Sequence, residues 1–355
     1  MKRLLHHLAQ LLPGVLSLAL LAWVLRSADA ARALTLVRSL GWRLPLLLLP
    51  NLAAVLAEAA GWWASFARLG PRPRFHRLLG VRVMVDALML GLPSGTVVSE
   101  TVQPYLLKRR CAVPLETGIV ATVARKFFVV VSHGLFLALA TVLAWPLLDL
   151  DSSAAIGQRG LPWLLLATSL ALVAAALAGV LATAHGRVAD RLHRGLDHLG
   201  GRWLGSWLER NALRFRRTDE ELAAFFAHEP AGLLPSVALY VLGWFVRSLE
   251  TWLFLRLVGV DVPLAAAMVI ETTLILVRAM AVPVPAGLGV QDAGYVLCLK
   301  ALAVPEATTV GVAFVLLKRG KDLFWVLLGF LLLGLGRPAG EPGLAAMQER
   351  GPVRL

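Results

Sequence analysis

Four charged side chains interrupt the long apolar stretch at residues 307–335, and they are Lys318, Arg319, Lys321 and Asp322. A single helix through this stretch would place them near the middle of a bilayer, where one ionisable group costs at least about 2.5–3.5 kcal/mol. Lys318 and Asp322 are four residues apart, so they could neutralise each other on one helix face. Three cations still stand against one carboxylate, so we expect a positively charged cavity that attracts a phosphate or another anionic headgroup.

A second basic pair, Arg125-Lys126, lies in another apolar stretch, and we expect it to contribute to the same headgroup site. Glu100 and Asp292 each follow a segment that contains Pro and Gly. Because a helix N-terminus favours a carboxylate, both could be simple capping residues. The alternative is that they act as counter-ions for the cations or as proton-coupled carboxylates.

Two further pairs have the spacing of structural ion pairs. Arg247 and Glu250 are three residues apart, and Glu271 and Arg278 are two helical turns apart. We interpret both pairs as interhelical salt bridges rather than as ligands. The other ionisable residues that lie in apolar segments include Glu58, Asp86 and Arg256.

Motifs of metal, nucleotide and hydrolase chemistry do not occur in the sequence. It has no HExxH, no nucleophile elbow and no Walker-type loop. Its two cysteines, Cys111 and Cys298, have no CxxC spacing. The D-x-D at Asp149–Asp151 lies in a short acidic loop and is weak support for a metal-dependent sugar-nucleotide enzyme. We therefore expect no catalytic residue, no metal and no cofactor.

Lipid must solvate much of this chain. Of its 355 residues 58% are hydrophobic and 16% are charged, whereas soluble domains are about a quarter charged. The net charge is +13, but the basic residues gather between apolar stretches, at 68–82, 108–110 and 187–217. This pattern is typical of cytoplasmic loops that face anionic lipid. Since no nucleic-acid-binding motif accompanies the charge, we expect no nucleic-acid partner.

The apolar stretches predict an all-α integral membrane protein with about six full transmembrane helices. They are Leu8–Leu25, Leu44–Phe66, Phe127–Leu148, Leu161–Ala184, Leu233–Val258 and Thr309–Leu335. Met1–Arg26 lacks a small-residue cleavage site, so we interpret it as a retained span and not as a signal peptide. The basic segment at 68–77 and the acidic loop at 149–160 place the N-terminus in the cytoplasm.

Two segments of the chain resemble each other. Leu88–Phe127 and Ala279–Asp322 each show an apolar helix, a break, a helix that ends near Val-Pro, and a long helix with a basic pair. The residues at the breaks are Pro93, Gly95, Pro285, Gly287 and Gly289. Backbone groups freed at a break must be buried in protein or line a wet cavity, and paired breaks point to a transport site near the midplane. We expect re-entrant hairpins that form an inverted repeat; ordinary Pro-kinked spans are the alternative.

The domain organisation follows from these elements. We expect one polytopic membrane domain at residues 1–340, with repeat halves at about 73–148 and 263–335, and a short tail at 341–355. Residues 185–229 mix Arg with Asp and Glu and include several aromatic residues. We expect amphipathic helices at the cytoplasmic interface there, with a solvated connector as the alternative.

Several motifs are similar to those of a known family, among them Pro93–Glu100, Ile270-Glu271, Val277-Arg278-Ala279, Pro285–Asp292 and Leu317-Lys-Arg-Gly-Lys-Asp322. On these residues the chain resembles the membrane domain of lysylphosphatidylglycerol synthase, a flippase-like family, and most closely its subgroup associated with hopanoid biosynthesis. The first break departs from the family pattern, because Val98-Ser99 stand where Gly-Gly is usual and Gln103 where a basic residue is usual. The resemblance implies movement or handling of a lipid across the bacterial cytoplasmic membrane.

Three functions remain open on these grounds. The first is a flippase or transporter for an anionic or hopanoid-related membrane lipid. The second is an intramembrane enzyme acting on a lipid-linked substrate, although the short Gly/Pro-rich end leads us to expect no aminoacyl-transferase domain. The third is a non-transporting scaffold that docks lipid-biosynthesis enzymes through residues 185–229.

Overall fold

A computed structural model describes residues 29–92, 94–148, 160–184, 217–227, 230–280 and 288–335, and within them all regular structure is helical. The helices are α1 (Ala30–Ser39), α2 (Leu48–Ser65), α3 (Phe75–Gly91), α4 (Gly95–Cys111), α5 (Leu115–Leu143), α6 (Leu161–Ala184), α7 (217–227), α8 (Leu234–Leu257), α9 (Leu264–Met280), α10 (Val290–Ala301) and α11 (Ala307–Leu335). A 3₁₀ helix at Gly41–Leu47 leads into α2. The predicted span Leu8–Leu25, most of 185–229 and the tail lie outside the described residues.

Four described helical segments are long and apolar enough to cross a membrane, and they are Gly41–Arg68, Leu115–Leu143, Leu161–Ala182 and Leu234–Leu257. The prediction of an all-helical membrane protein is therefore confirmed. The start predicted for the span Phe127–Leu148 is wrong, because α5 begins at Leu115, directly after Pro114. Arg125 and Lys126 lie inside this 29-residue helix, as expected from the repeated pattern of a long helix with a basic pair.

Two groups of three consecutive helices, the triplets α3–α4–α5 and α9–α10–α11, share the same order of helices and turns. Their last helices, α5 and α11, both have 29 residues. Just beyond α4 and α10 an alanine takes the left-handed conformation, Ala112 with φ 56° and Ala303 with φ 52°. The N–H of the following valine then bonds back to the end of the helix, from Val113 over 3.4 Å and from Val304 over 3.0 Å. This turn closes each short helix before the long one begins.

The breaks within the triplets require glycine. A Cβ on Gly95 would lie 2.6 Å from the carbonyl oxygen of Leu88, so α4 can fold back on α3 only without a side chain there. Ser94 before it has a φ of 52°, and Gly289 before α10 has a φ of 78°. The other predicted break residues, Pro93, Pro285 and Gly287, lie outside the described residues.

The triplets pack against each other reciprocally. Helix α3 of the first packs on α11 of the second, and α9 of the second packs on α5 of the first. The preceding helices, α2 and α8, also lie side by side. The contacts of α3 with α11 and of α2 with α8 are close. A Cβ on Gly329 would lie 2.7 Å from the Val83 carbonyl oxygen, and a Cβ on Gly243 would lie 2.9 Å from Cγ of Glu58. Charged side chains on these helices are thereby buried between the two halves.

Candidate functional site

Lys318 and Lys321 are buried on α11 and share one carboxylate of α8. Their Nζ atoms lie 2.8 and 2.9 Å from Oε1 of Glu250. Lys318 also donates to Oγ1 of Thr251 at 2.8 Å and lies 3.4 Å from Oε2 of Glu271 on α9. The charged side chains are at most 10% exposed, so these pairs are largely shielded from solvent. These five residues are called the Glu250 cluster below.

Aromatic groups surround the Lys318 ammonium. Its Nζ lies 5.6 Å from the ring centroid of Phe254, 5.7 Å from that of Phe314 and 6.0 Å from that of Tyr295. The Tyr295 hydroxyl donates to Oε2 of Glu271 at 3.3 Å. The ammonium is therefore stabilised both by carboxylates and by the negative faces of aromatic rings.

Asp292 takes both of the roles that its position at a helix start allows. Its Oδ2 accepts the backbone N–H of Gly289 at 2.9 Å and so caps α10. Its Oδ1 accepts hydrogen bonds from Nε and Nη2 of Arg319, at 3.0 and 2.6 Å. Asp322 lies 3.7 Å from Arg319 and 3.4 Å from Lys321. The charged run on α11 is thus tied to α8, α9 and α10.

Positive charge is not in surplus around α11 among the described side chains, which corrects the expectation of a cationic cavity. The three cations of the run face four carboxylates: Glu250, Glu271, Asp292 and Asp322. Three of these come from other helices, so the α11 sequence alone could not reveal them. The suggested neutralisation of Lys318 by Asp322 also does not form, because Lys318 turns to Glu250 and Glu271 instead.

A second buried cluster joins α2, α3 and α8. Arg82 on α3 bonds to Glu58 on α2 and to Asp86 one turn along its own helix. Arg247 on α8 binds the other oxygen of Glu58, with Nη2 at 2.8 Å and Nε at 3.0 Å from Oε1. Glu58 and Arg82 are each 5% exposed. These four residues are called the Glu58 cluster below.

Helix α8 contributes to both clusters. Arg247 and Glu250, which we interpreted as forming interhelical salt bridges, each bind a partner on another helix, but they point to different clusters although they are one turn apart. Glu271 binds Lys318, and the side chain of Arg278 lies outside the described residues. A movement of α8 would therefore act on the two clusters together.

The other basic pair splits into an exposed and a buried residue. Lys126 forms an ion pair with Glu100 on α4, and the side chains are 49% and 34% exposed. Arg125 is 8% exposed and forms no ion pair with any described residue. The sequence thus places both residues on α5, but only the structure shows that one of them is buried without a direct ion pair to any described residue.

The two halves place corresponding charges at corresponding points. Glu58 and Glu250 each lie on the helix before a triplet, and each accepts two cations. Both halves also pair the carboxylate beyond the break with a cation on the long helix, as Glu100–Lys126 and as Asp292–Arg319. Sequence reasoning gave Glu58 no role. Its separation from Glu250, which equals that of Pro93 from Pro285, was the available signal.

The protein is a polytopic α-helical membrane protein. Its two helix triplets pack against each other, and ion clusters are buried between its apolar helices. The family model of the lysylphosphatidylglycerol synthase TM region matches residues 10–329, and the chain belongs to this family. No curated protein and no solved structure matches the chain. Membership confirms the family part of the resemblance and indicates a lipid-related membrane protein; the hopanoid-associated subgroup stays a prediction.

Proposed function

We propose that this protein moves a membrane lipid, anionic or hopanoid-related, across the bacterial cytoplasmic membrane as a flippase-like transporter. The supporting observation is that two corresponding ion clusters share one helix, α8, at the contact between two similar halves. Transporters built from repeats hold their substrate site at such a contact and open it alternately to either side. The proposal assigns the chain transport and not catalysis.

The proposed arrangement has about six spans, with the N-terminus in the cytoplasm. Leu8–Leu25 and the charged helix α11 would join the four apolar segments, and the two triplets would form an inverted repeat. The reciprocal packing of α3 on α11 and of α9 on α5 supports this, because a two-fold relation between the halves exchanges these two contacts. The hairpin α3–α4 would then open toward the cytoplasm and α9–α10 toward the outside.

Ion pairs in the two clusters supply the bistable element that alternating access needs. Buried pairs give little net stability compared with apolar packing, because desolvation offsets their attraction. They do restrict partners, since a buried cation must find another carboxylate whenever its first one moves away. A protein that alternates between two arrangements can use such partner exchange to make intermediate states unfavourable.

Reconstitution into liposomes tests the proposal. Headgroup-labelled phosphatidylglycerol in the inner leaflet is followed as it becomes accessible to a membrane-impermeant quencher. We expect wild-type protein to accelerate this step over protein-free liposomes and Lys318→Met to slow it by tenfold or more. Arg256→Gln is the matched control, because Arg256 also lies on a charged helix but pairs with Asp261 at the surface, with side chains 51% and 84% exposed.

Two results would contradict the proposal. If wild-type protein does not exceed protein-free liposomes with phosphatidylglycerol or with a hopanoid-containing lipid mixture, transport of these lipids is refuted. If Lys318→Met transports as fast as wild type, the Glu250 cluster is not part of the transport cycle. Native mass spectrometry of the purified protein would identify the co-purifying lipid and select the probe.

A further inference from the structure

Arg125 belongs to neither cluster and differs from the buried cations in them. It is 8% exposed, and its Nε is buried without a hydrogen-bond partner in the described part of the chain. Lys318, at about the same distance along the partner helix α11, is held by two carboxylates. A guanidinium is always charged and carries five N–H donors in a planar fork. Arg125 therefore needs an acceptor that the described residues do not provide.

Other polar atoms without partners lie around Arg125. They are Nε of Arg82, the hydroxyl of Tyr240 and Oε1 of Gln103, all buried. Arg82 and Tyr240 act on Arg125 electrostatically, and so do the carboxylates of Asp86 and Glu100, but none of the four forms a hydrogen bond with it in the described part of the chain. Gln103 donates its Nε2 to Oγ1 of Thr122 at 3.0 Å, and Thr122 lies one turn before Arg125 on α5. Helices α3, α4 and α8 thus each carry, near α5, a buried polar atom without a partner among the described residues, and buried polar groups are rarely left without partners.

Aromatic rings fix the position of this group of atoms. The Trp62 ring lies 5.8 Å from the guanidinium carbon of Arg125, and its indole N–H donates to the Ala121 carbonyl on α5 at 3.0 Å. Tyr240 stacks on Phe128, one turn beyond Arg125, with ring centroids 5.9 Å apart. The unsatisfied donors are therefore held by packed and fully buried rings.

The charge around Arg125 favours an anion. Together with the Glu58 cluster there are three arginines and two carboxylates, which leaves one positive charge: Arg82, Arg125 and Arg247 against Glu58 and Asp86. The adjacent pair of Lys126 and Glu100 is neutral and partly exposed, so it does not change this balance. Around the Glu250 cluster, by contrast, three cations face four carboxylates, so no positive charge is left to attract an anion.

We propose that Arg125, Arg82, Tyr240 and Gln103 form a binding site for a phosphate oxyanion. The guanidinium of Arg125 would bind two oxygens in its fork, Arg82 and Tyr240 would donate to the remaining oxygens, and Gln103 Oε1 would accept from a hydroxyl of the ligand. The oxyanion is either the phosphodiester of a lipid headgroup or free inorganic phosphate. The lipid source rests on the proposed transport function, whereas the site itself does not.

Binding to purified full-length protein in phosphate-free detergent tests the site. The probes are phosphatidylglycerol, phosphatidylcholine and inorganic phosphate, and the readouts are native mass spectrometry and the shift in melting temperature. We expect Arg125→Gln to weaken binding of the oxyanion by tenfold or more, Arg125→Lys to recover part of it, and Arg256→Gln to bind like wild type. Without added anion we expect Arg125→Gln to melt at or above the wild-type temperature, because it removes a buried charge that forms no direct ion pair with any described residue.

The outcomes separate the source of the ligand from the existence of the site. Stabilisation by phosphatidylglycerol alone assigns a lipid headgroup, and stabilisation by inorganic phosphate at similar concentration assigns a free anion. If Arg125→Gln binds every probe as wild type does, or if no probe stabilises wild-type protein, the site is refuted. Binding that depends on Arg125 in a protein that moves no lipid would instead refute only the proposed transport. If Arg125→Gln does not fold, the site is tested by two other measurements: the binding of the probes to Arg125→Lys and the shift in melting temperature that the probes cause in wild-type protein.

Discussion

Replacing Glu250 by glutamine removes the one carboxylate that two buried lysines share. Removing one partner of a buried ion pair costs about 3–5 kcal/mol, because the remaining charge stays buried. Here Lys318 keeps Glu271 and Lys321 keeps Asp322, each at 3.4 Å, which is longer than the 2.8 and 2.9 Å contacts that are lost. We therefore expect Glu250→Gln to lower the free energy of unfolding by about 3 kcal/mol, at the lower end of that range.

The assay is unfolding in mixed micelles with increasing SDS, followed by the fluorescence of the chain's 11 tryptophans. Arg256→Gln is the control, since an exposed ion pair contributes about 0–1 kcal/mol. The double variant Glu250→Gln/Lys318→Met removes a positive charge together with the negative one. It should be less destabilised than the sum of the single variants, by about 0.5–3 kcal/mol.

The outcome that would refute this reasoning is specific. If Glu250→Gln loses less than about 1 kcal/mol, the lysines either do not depend on Glu250 or are solvated in its absence. If the double variant equals the sum of the singles, Glu250 and Lys318 do not interact in the folded protein, and the Glu250 cluster is not an electrostatic unit.

Two further predictions concern the first half. In the same SDS titration, Glu58→Gln should lower the free energy of unfolding by about 3–5 kcal/mol. Adding Arg247→Met to this variant should recover part of the loss. If the double variant recovers nothing, Arg247 does not depend on Glu58. Gly95→Ala should prevent correct packing of α4 on α3 and lower the yield of monodisperse protein in size-exclusion chromatography, because its Cβ would meet the Leu88 carbonyl oxygen at 2.6 Å. Gly80→Ala on α3 is its control, since its Cβ would meet only Met84 Cε at 3.8 Å, and equal behaviour of the two variants would contradict the close approach at Gly95.

The order of helices and breaks could be read from the sequence because the causes are local. Proline before a long apolar run starts α5, and Gly95 permits the turn into α4. The internal likeness of the two segments predicted helices, breaks and a basic pair in both halves, and the described residues contain two triplets of that form. Such features depend on a few neighbouring residues, whose backbone preferences act wherever they occur.

The partners of the charges could not be read from the sequence, because they depend on packing between distant helices. Lys318 and Glu250 are 68 residues apart, and Arg247 reaches Glu58 across 189. The sequence grouped Arg82 with a basic loop, yet Arg82 is buried on α3, where it forms salt bridges with Glu58 and Asp86. For the same reason the sequence of α11 alone overstated its positive charge.

Helix α8 connects these observations. Its Arg247 and Glu250 are one turn apart and engage opposite halves, so a rotation or shift of α8 would act on both sets of ion pairs. Since buried ion pairs contribute little net stability compared with apolar packing, two of them on one helix are poorly explained by stability alone. In the proposed transport function they would act as a constraint that makes the two halves move together, which alternating access requires. Arg125, which forms no ion pair with a described residue, lies beside the cluster that α8 shares with α2 and α3, so an anion bound there would act on the balance between the two arrangements that the proposal requires.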